Sequence, residues 1–388
     1  MALTFDKATI EKLNKSSFSD GNKVALLYKE RKTFDAIFDA INQAKQFICL
    51  QFYIFRNDET GMEMAAILRK KAKKGVRIYI LYDHFGSLWT PKDFWDSLKS
   101  SGIEIRVSRP FQWSSPFYYA HRDHRKLIII DGVKAFTGGL NIANEYRGFH
   151  LRSRKKGWRD TGIMMEGPVV SELFRTFRVA WQRRKEPPLS FRELSFERQS
   201  DIREVNGLPL IPVFASSAKG RRKMRKLLYY SINHAKESIL LTTAYFTPSR
   251  RMLAALEEAV GRGVSVKLLL PGMSDVPAVL YAGRAFFTRL LKRGIKIYNY
   301  QGEVLHAKSY VFDGCWSIVG SANLDFLSLR WNDEGNVGIL DADFGKRMIC
   351  VFEEDLKNSV EIREEEWLKR PLSERIQERV FALFRRRL

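Results

Sequence analysis

HRKLIIIDGVKAFTGGLNIAN (residues 124–144) and HAKSYVFDGCWSIVGSANLDF (306–326) are two versions of one segment. His124 pairs with His306, Lys126 with Lys308, Asp131 with Asp313, Gly138 with Gly320 and Asn141 with Asn323, all at one offset (306 − 124 = 182). Upstream, AINQAKQFICLQFYIF (40–55) matches SINHAKESILLTTAYF (231–246), and KKGVRIYILYD (73–83) matches GRGVSVKLLLPG (261–272). The offset changes from 191 (231 − 40) to 188 (263 − 75) and then to 182, so the first copy carries extra loop residues. Self-similarity on this scale means that whatever one copy folds into, the chain holds twice.

Each copy alternates helical and strand patterns. Phe34, Ile37, Phe38 and Ile41 recur at helical spacing over 32–46. Residues 47–55 then read as a strand, 61–75 as a helix closed by Gly75, and 76–82 as a second strand. In the second copy Gly263 closes the helix before 264–270, and 126–130 and 309–312 are further core strands entering Asp-Gly turns. Near-continuous apolar strands between helices predict an α/β sandwich with a mainly parallel sheet. The expected division is a first unit at 1–185, a linker at 186–206 that loses periodicity, a second unit at 207–370, and a basic amphipathic helix at 371–388.

The 388 residues carry 66 Lys and Arg against 44 Asp and Glu, a net charge of +22. That excess narrows the partners to polyanions: nucleic acid, an anionic membrane surface or phosphate-bearing substrates. Cys49, Cys315 and Cys350 are too scattered for a disulfide framework or a Cys-rich zinc site, and fit inert thiols in a reducing compartment. No apolar run approaches the ~20 residues of a membrane span, and the N-terminus shows no signal-peptide pattern, so a soluble or peripheral protein is expected.

The recurring pattern is H-x-K-x4-D-x6-G-[GS]-x-N. One copy would be a weak signal; two at a fixed offset are a strong one. The chain thereby resembles the phospholipase D superfamily and, within it, the bacterial cardiolipin synthases. GWRDTGIMMEGPVV (157–170), GSANLDFLSLRWNDEGNVGIL (320–340) and the FYIF and AYFTP segments carry the closer likeness.

The resemblance implies one active site at the interface of two pseudo-symmetric units. Alternate strand residues share a face, so His124 and Lys126 project together, as do His306 and Lys308. Lys126, Lys308, Asn141 and Asn323 would hold one phosphate by charge-assisted hydrogen bonds. One His would attack phosphorus while the other protonates the leaving alcohol and then activates the incoming one. By analogy His124 is the nucleophile and His306 the acid/base, although the near-symmetric motifs do not decide it. Asp160 and Glu334 match acidic family positions and would fix the imidazole tautomers. Asp131 and Asp313 are carried as catalytic candidates, with turn stabilisation the alternative. Gly138, Gly139, Gly320 and Ser321 would let backbone approach the phosphate, or simply form turns. No metal or other cofactor is expected, because the lysines neutralise the phosphate; His84, His121, His150 and His234 have no counterpart in the repeat.

The implied reaction is transfer of a phosphatidyl group from phosphatidylglycerol through a phosphohistidine to a second phospholipid, with release of glycerol. Hydrolytic phospholipase D and nuclease or nucleic-acid phosphodiesterase are the alternatives, since one superfamily fold serves several substrates. The aromatic segment 110–119, the basic amphipathic C-terminus and the clusters at 152–156, 183–185 and 221–226 favour an anionic phospholipid membrane over nucleic acid. No protein partner can be inferred. The expected location is the bacterial cytoplasm, peripheral on the inner membrane's cytoplasmic face. The chain resembles the shorter relatives without N-terminal transmembrane segments.

Overall fold

The computed structural model describes residues 4–111, 113, 121–148, 157–182 and 207–384. The expected linker at 186–206, the basic clusters at 152–156 and 183–185, and most of the 110–119 segment lie outside these residues. His150 lies outside them as well.

The first repeat contributes β1 (Ser19–Leu27), β2 (Phe47–Phe52), β3 (Arg77–Asp83), β4 (Glu104–Ser108), β5 (Leu127–Ile130), β6 (Lys134–Gly138) and β7 (Gly162–Glu166). The second contributes β8 (Leu208–Ala215), β9 (Ser238–Thr242), β10 (Ser265–Pro271), β11 (Lys296–Tyr300), β12 (Ser309–Phe312), β13 (Trp316–Gly320) and β14 (Glu334–Leu340), followed by β15 (Ser359–Glu361). They join in the order β15-β11-β10-β9-β12-β13-β14-β8-β1-β7-β6-β5-β2-β3-β4. Read outward from the β8–β1 seam, the two halves have the same strand order, which is the sequence repeat made structural. The seam is antiparallel and its register shifts between Ser19 and Asn22.

The expectation of a mainly parallel sheet is corrected. Only β2–β3, β3–β4, β9–β10 and β10–β11 pair in parallel. The other pairs are antiparallel, because the motif strand turns back through a tight hairpin in each copy: β5–β6 and β12–β13. Both faces of the sheet are nonetheless covered, so β2, β5, β12 and β14 are buried along their whole length, and the buried polar residues among them, such as Gln51, Glu334 and Asn336, are exceptions in otherwise apolar strands.

Local chemistry explains the outer helices. Asp58 accepts from Gly61 N to cap the helix Glu59–Lys73, and Gly75 at φ 83° provides the left-handed exit. Ser249 caps Arg250–Gly261 in the same way, with Gly263 at φ 87° beyond it. Phe34, Ile37, Phe38 and Ile41 of Glu30–Gln43 are buried against the first half-sheet, as their spacing predicts. A middle core, shared between the halves, buries Phe174, Phe177 and Trp181 from Val169–Trp181 together with Phe344, Met348 and Phe352 from Ala342–Leu356.

The repeats are interleaved beyond that. Phe5, Ile10 and Phe18, from the N-terminal segment, are buried in the second repeat's outer core. Arg159 and Asp355 form a buried two-pronged ion pair between repeats, with Nε and a terminal nitrogen each 2.7 Å from a carboxylate oxygen. Cys49 and Cys315 are buried thiols, as expected, and Cys350 is exposed.

Among the described residues no helix is long and apolar enough to cross a membrane. The C-terminal helix forms over Leu372–Leu383 and packs on Pro277–Arg284. The packed face is mixed. Glu378 is buried beside Arg284 (3.5 Å) and Arg370, and Phe381 stacks on Tyr281 with ring centroids 5.7 Å apart. Leu372, Ile376, Val380 and Leu383 form an exposed row on the helix.

Candidate active site

Two matched backbone bridges bring the motifs together. Asp123 bridges Asp333, with His124 N donating to Asp333 O at 2.9 Å and Asp333 N to Arg122 O at 2.8 Å. Arg159 bridges Leu305, with His306 N donating to Arg159 O at 2.8 Å and Arg159 N to Val304 O at 2.9 Å. Each bridge ties the residues before one motif His to the strand entry of the other repeat. Every His is therefore held next to a carboxylate from the opposite copy.

His124 Nδ1 lies 3.1 Å from Glu334 Oε2, and His306 Nδ1 lies 2.7 Å from Asp160 Oδ2. Both carboxylates are fully buried. Ser321 Oγ donates to Glu334 Oε2 at 2.5 Å, and Thr161 N donates to Asp160 Oδ1 at 2.7 Å. Asp160 thus keeps Oδ2 to accept Nδ1–H of His306, while Glu334 Oε2 accepts both Ser321 Oγ–H and Nδ1–H of His124, which leaves Nε2 as the ring nitrogen with the free lone pair. The glycine pair of the motif has its role here. A Cβ at Gly139 would come within 2.2 Å of the Asp160 carboxylate, and Ser321 at the matching position supplies the hydrogen bond to Glu334. These residues serve the orienting carboxylates.

Lys126 and Lys308 are buried beside the imidazoles. Lys126 Nζ donates to His124 O at 2.7 Å; Lys308 Nζ donates to His306 O and sits 2.7 Å from His306 Nδ1. With Asp160 taking the Nδ1 proton, the carbonyl is the lysine's acceptor. Aromatic rings fix the imidazoles from the side: Tyr53 lies 5.0 Å from His124, and Tyr146 and Trp158 lie 5.2 and 5.6 Å from His306.

Burial governs the protonation of the cluster. It pushes His306 down to about 4, reinforced by Lys308 and opposed by Asp160. It also lowers His124, with Lys126 adding to the effect and Glu334 opposing it. It brings Lys126 to about 7 against the pull of Glu334, and Lys308 to about 8 against that of Asp160. Both imidazoles are thus mainly neutral at pH 7, Lys308 keeps most of its charge there, and Lys126 is about half charged and responsive to a nearby anion. The sign of the pH dependence follows. As pH rises through about 7 and 8 the free enzyme loses the two cations beside the imidazoles, so kcat/KM should fall on the alkaline side. A pH–rate profile checks this; a flat profile from pH 6 to 9 would contradict it, and Lys308→Arg should move the fall to higher pH.

The two imidazoles open on one pocket of about 640 Å³, which Asn141 and Asn323 also line. Asn141 Oδ1 accepts from Ile54 N and its amide donates to Tyr146 Oη at 2.8 Å. Asn323 Oδ1 accepts from Thr243 Oγ1, while its buried Nδ2 has no hydrogen-bond partner in the empty site. That donor is available to a ligand oxygen.

Asp131 and Asp313 do not join this cluster, and their surroundings are those of the turn-stabilising alternative. They stand at the far ends of β5 and β12, five residues and about 16 Å beyond the lysines on a rise of ~3.3 Å per residue. Each occupies the left-handed region, φ 53° and 49°, in an Asp-Gly turn. The Asp131 carboxylate accepts from the backbone N–H groups of Lys45, Gln46 and Phe47 at 2.7–2.9 Å. Asp313 accepts from those of Lys236, Glu237 and Ser238 at 2.8–3.0 Å. They clamp the entries of β2 and β9. Asp131→Ala should lower stability by about 1–3 kcal/mol and leave turnover of the folded enzyme nearly intact; denaturant unfolding and an assay on the same sample check both halves.

Sequence reasoning missed several residues. Tyr53, Arg122, Tyr146, Tyr245, Asp275 and Asp325 line the pocket. FYIF and AYFTP flagged the neighbourhoods of Tyr53 and Tyr245 but gave no direction for either ring. An ion network behind the site was also hidden. Asp123 takes two 2.7 Å bonds from Arg125 and is held at about 2 despite its burial. Asp333 gathers Arg109 at 2.7 Å and Arg221 at 3.4 Å.

A duplicated α/β fold, with one His of each copy on a shared pocket and a Lys buried beside each His, defines an enzyme of the phospholipase D superfamily. The family described as "Cardiolipin synthase, PLD-like domain" matches residues 37–153 and 228–356. Cardiolipin synthase of Geobacillus sp. (strain WCH70) is 34% identical over 377 residues, covering 96% of this chain and 74% of that protein. Cardiolipin synthase A of Pseudomonas syringae pv. syringae (strain B728a) is 34% identical over 348 residues, covering 89% and 71%. The chain belongs to the cardiolipin synthase family of the phospholipase D superfamily. Among solved structures, phosphatidylserine synthase of Haemophilus influenzae Rd KW20 superposes with a TM-score of 0.74 over 98% of this chain and 100% of that one; at 14% identity this likeness speaks for the fold alone.

Proposed function

We propose that the protein is a phosphatidyltransferase of the cardiolipin synthase type, acting on phosphatidylglycerol. The observation that carries the reading is the crossed arrangement: two imidazoles on one pocket, each with Nδ1 held by a carboxylate of the other repeat and each with a buried lysine beside it. His124 Nε2 attacks phosphorus and the bond to the glycerol oxygen breaks, giving a phosphatidyl-histidine. His306, which takes up a proton at Nε2 from solvent as the anionic phosphodiester binds beside it, gives that proton to the departing glycerol oxygen and returns to the neutral form. It then takes the proton from a hydroxyl of a second phosphatidylglycerol, whose oxygen attacks phosphorus and breaks the P–N bond. Lys126, Lys308 and the Asn323 amide hold the non-bridging oxygens throughout. Assignment of the nucleophile to His124 follows the family resemblance. The repeats act as two units, 1–185 and 207–370, joined by 186–206 and followed by the C-terminal segment 371–388. The enzyme works peripherally on the cytoplasmic face of a bacterial inner membrane, where its lipid substrate is presented.

The test is incubation of the purified protein with phosphatidylglycerol vesicles and, separately, with labelled DNA. Cardiolipin and free glycerol in the lipid analysis support the reading. Phosphatidic acid alone would point to hydrolysis, and cut DNA without lipid turnover to a nuclease.

A further inference from the structure

A pocket of about 640 Å³ accommodates a headgroup and its phosphodiester. Two long acyl chains have no room in it and must stay outside, so the surface around the mouth decides where they lie.

That surface is apolar on both sides of the mouth, and it is so by duplication. The loops after β3 and β10 correspond at the offset of 188, which makes Phe85 and Met273 counterparts (273 − 85 = 188). Both are about half exposed, and Trp89, in the first of these loops, is 87% exposed. Phe85 lines the pocket itself, as does Asp275, two residues beyond Met273. The C-terminal helix extends the apolar surface. It rides on Pro277–Arg284, whose Val279 lines the same pocket. An amphipathic helix on a soluble domain turns its apolar row inward. Here the inward side carries the buried Glu378, and Ile376 (54%) and Leu383 (78%) are open to solvent. Arg375 and Arg379 are exposed alongside them.

We propose that the two duplicated loops and the outward row of this helix form one docking surface, and that its occupant is an anionic phospholipid bilayer. An exposed Trp and aliphatic side chains flanked by arginines match the interfacial layer, where the chains enter the acyl region and the guanidinium groups meet phosphates. The net charge of +22 draws the molecule to that surface. With the loops embedded, the pocket mouth faces the lipid, and a phosphatidyl headgroup reaches the imidazoles while its acyl chains remain in the bilayer. The inference rests on the reading of the pocket as a phosphatidyl site.

The test uses the full chain and two double variants, Trp89→Glu/Met273→Glu in the loops and Ile376→Glu/Leu383→Glu in the helix. All four residues are largely exposed, and unchanged thermal unfolding reports that the fold is retained. Co-sedimentation with vesicles of mixed phosphatidylglycerol and phosphatidylcholine should drop about tenfold or more for each double variant. Turnover of a short-chain phosphatidylglycerol below its micelle concentration should stay within about twofold of the parent. Unchanged co-sedimentation of both variants would overturn the proposal. So would a parent dimer that the substitutions dissociate without affecting vesicle binding, because the row would then be covered by a second copy. If the parent binds vesicles through these residues but forms no cardiolipin, docking stands and the proposed chemistry falls.

Discussion

His124→Ala and His306→Ala are each expected to lower cardiolipin formation by at least about a thousandfold, the scale on which removal of a nucleophile or of a positioned acid/base acts. The two losses should differ in kind. Without His124 no phosphorus–nitrogen bond can form, so brief incubation with radiolabelled phosphatidylglycerol should leave no label on the protein. Without His306 a donor with a good leaving group, such as a p-nitrophenyl phosphodiester, needs no proton on departure and should still label His124. Label on the His124→Ala protein and none on the His306→Ala protein would reverse the assignment. Cardiolipin formation at the parent rate by either variant would remove the two-histidine mechanism altogether. Side-chain truncation in a pocket wall leaves the backbone bridges from His124 N and His306 N in place, so circular dichroism should be unchanged.

The second large effect is expected at the carboxylates. Asp160→Asn or Glu334→Gln keeps the volume but offers a neutral amide to Nδ1. The imidazole can then settle in the other tautomer and loses the charge that stabilises its protonated form. The loss should be roughly 10²–10⁴-fold in kcat, the range from a lost proton-transfer partner to a triad Asp→Asn change. Because His306 and Asp160 act as one unit across 146 residues of sequence, Asp160→Asn should cost little when added to His306→Ala. Full additivity of the two losses would show that Asp160 acts elsewhere. The Glu334 variant has an added structural cost, since Glu334 is completely buried and Ser321 would lose a charged acceptor.

Much of this was legible in the sequence, for identifiable reasons. The motif spacing was read correctly because an extended segment sets His and Lys two residues apart on one side, whatever surrounds it. The glycine after each helix and the largely apolar strands are local signals, and they located most elements to within a few residues. What was not legible is contact between residues far apart in the chain. Nothing in the spacing of His306 and Asp160 says that they meet, and nothing in Arg159 or Asp355 announces a buried pair. Sheet direction was misjudged because burial on both faces gives the same apolar run in a parallel or an antiparallel strand. For Asp131 and Asp313 recurrence with the motif does not separate a catalytic role from a turn-stabilising one. They recur because the fold needs them: each copy must fasten its hairpin to the next strand.

The crossed bridges also set the terms on which the two halves could diverge. A single unit holds an imidazole without its carboxylate and a carboxylate without its imidazole. An ancestor of one-repeat length would be inert until paired with an identical partner about a two-fold axis, where every substitution appears twice. Joining the copies in one polypeptide lifts that obligation while keeping the mutual dependence. One half now offers Asp160 where the other offers Glu334, and Gly139 stands where the other has Ser321. Each half is free to drift in everything except the segment that completes its neighbour.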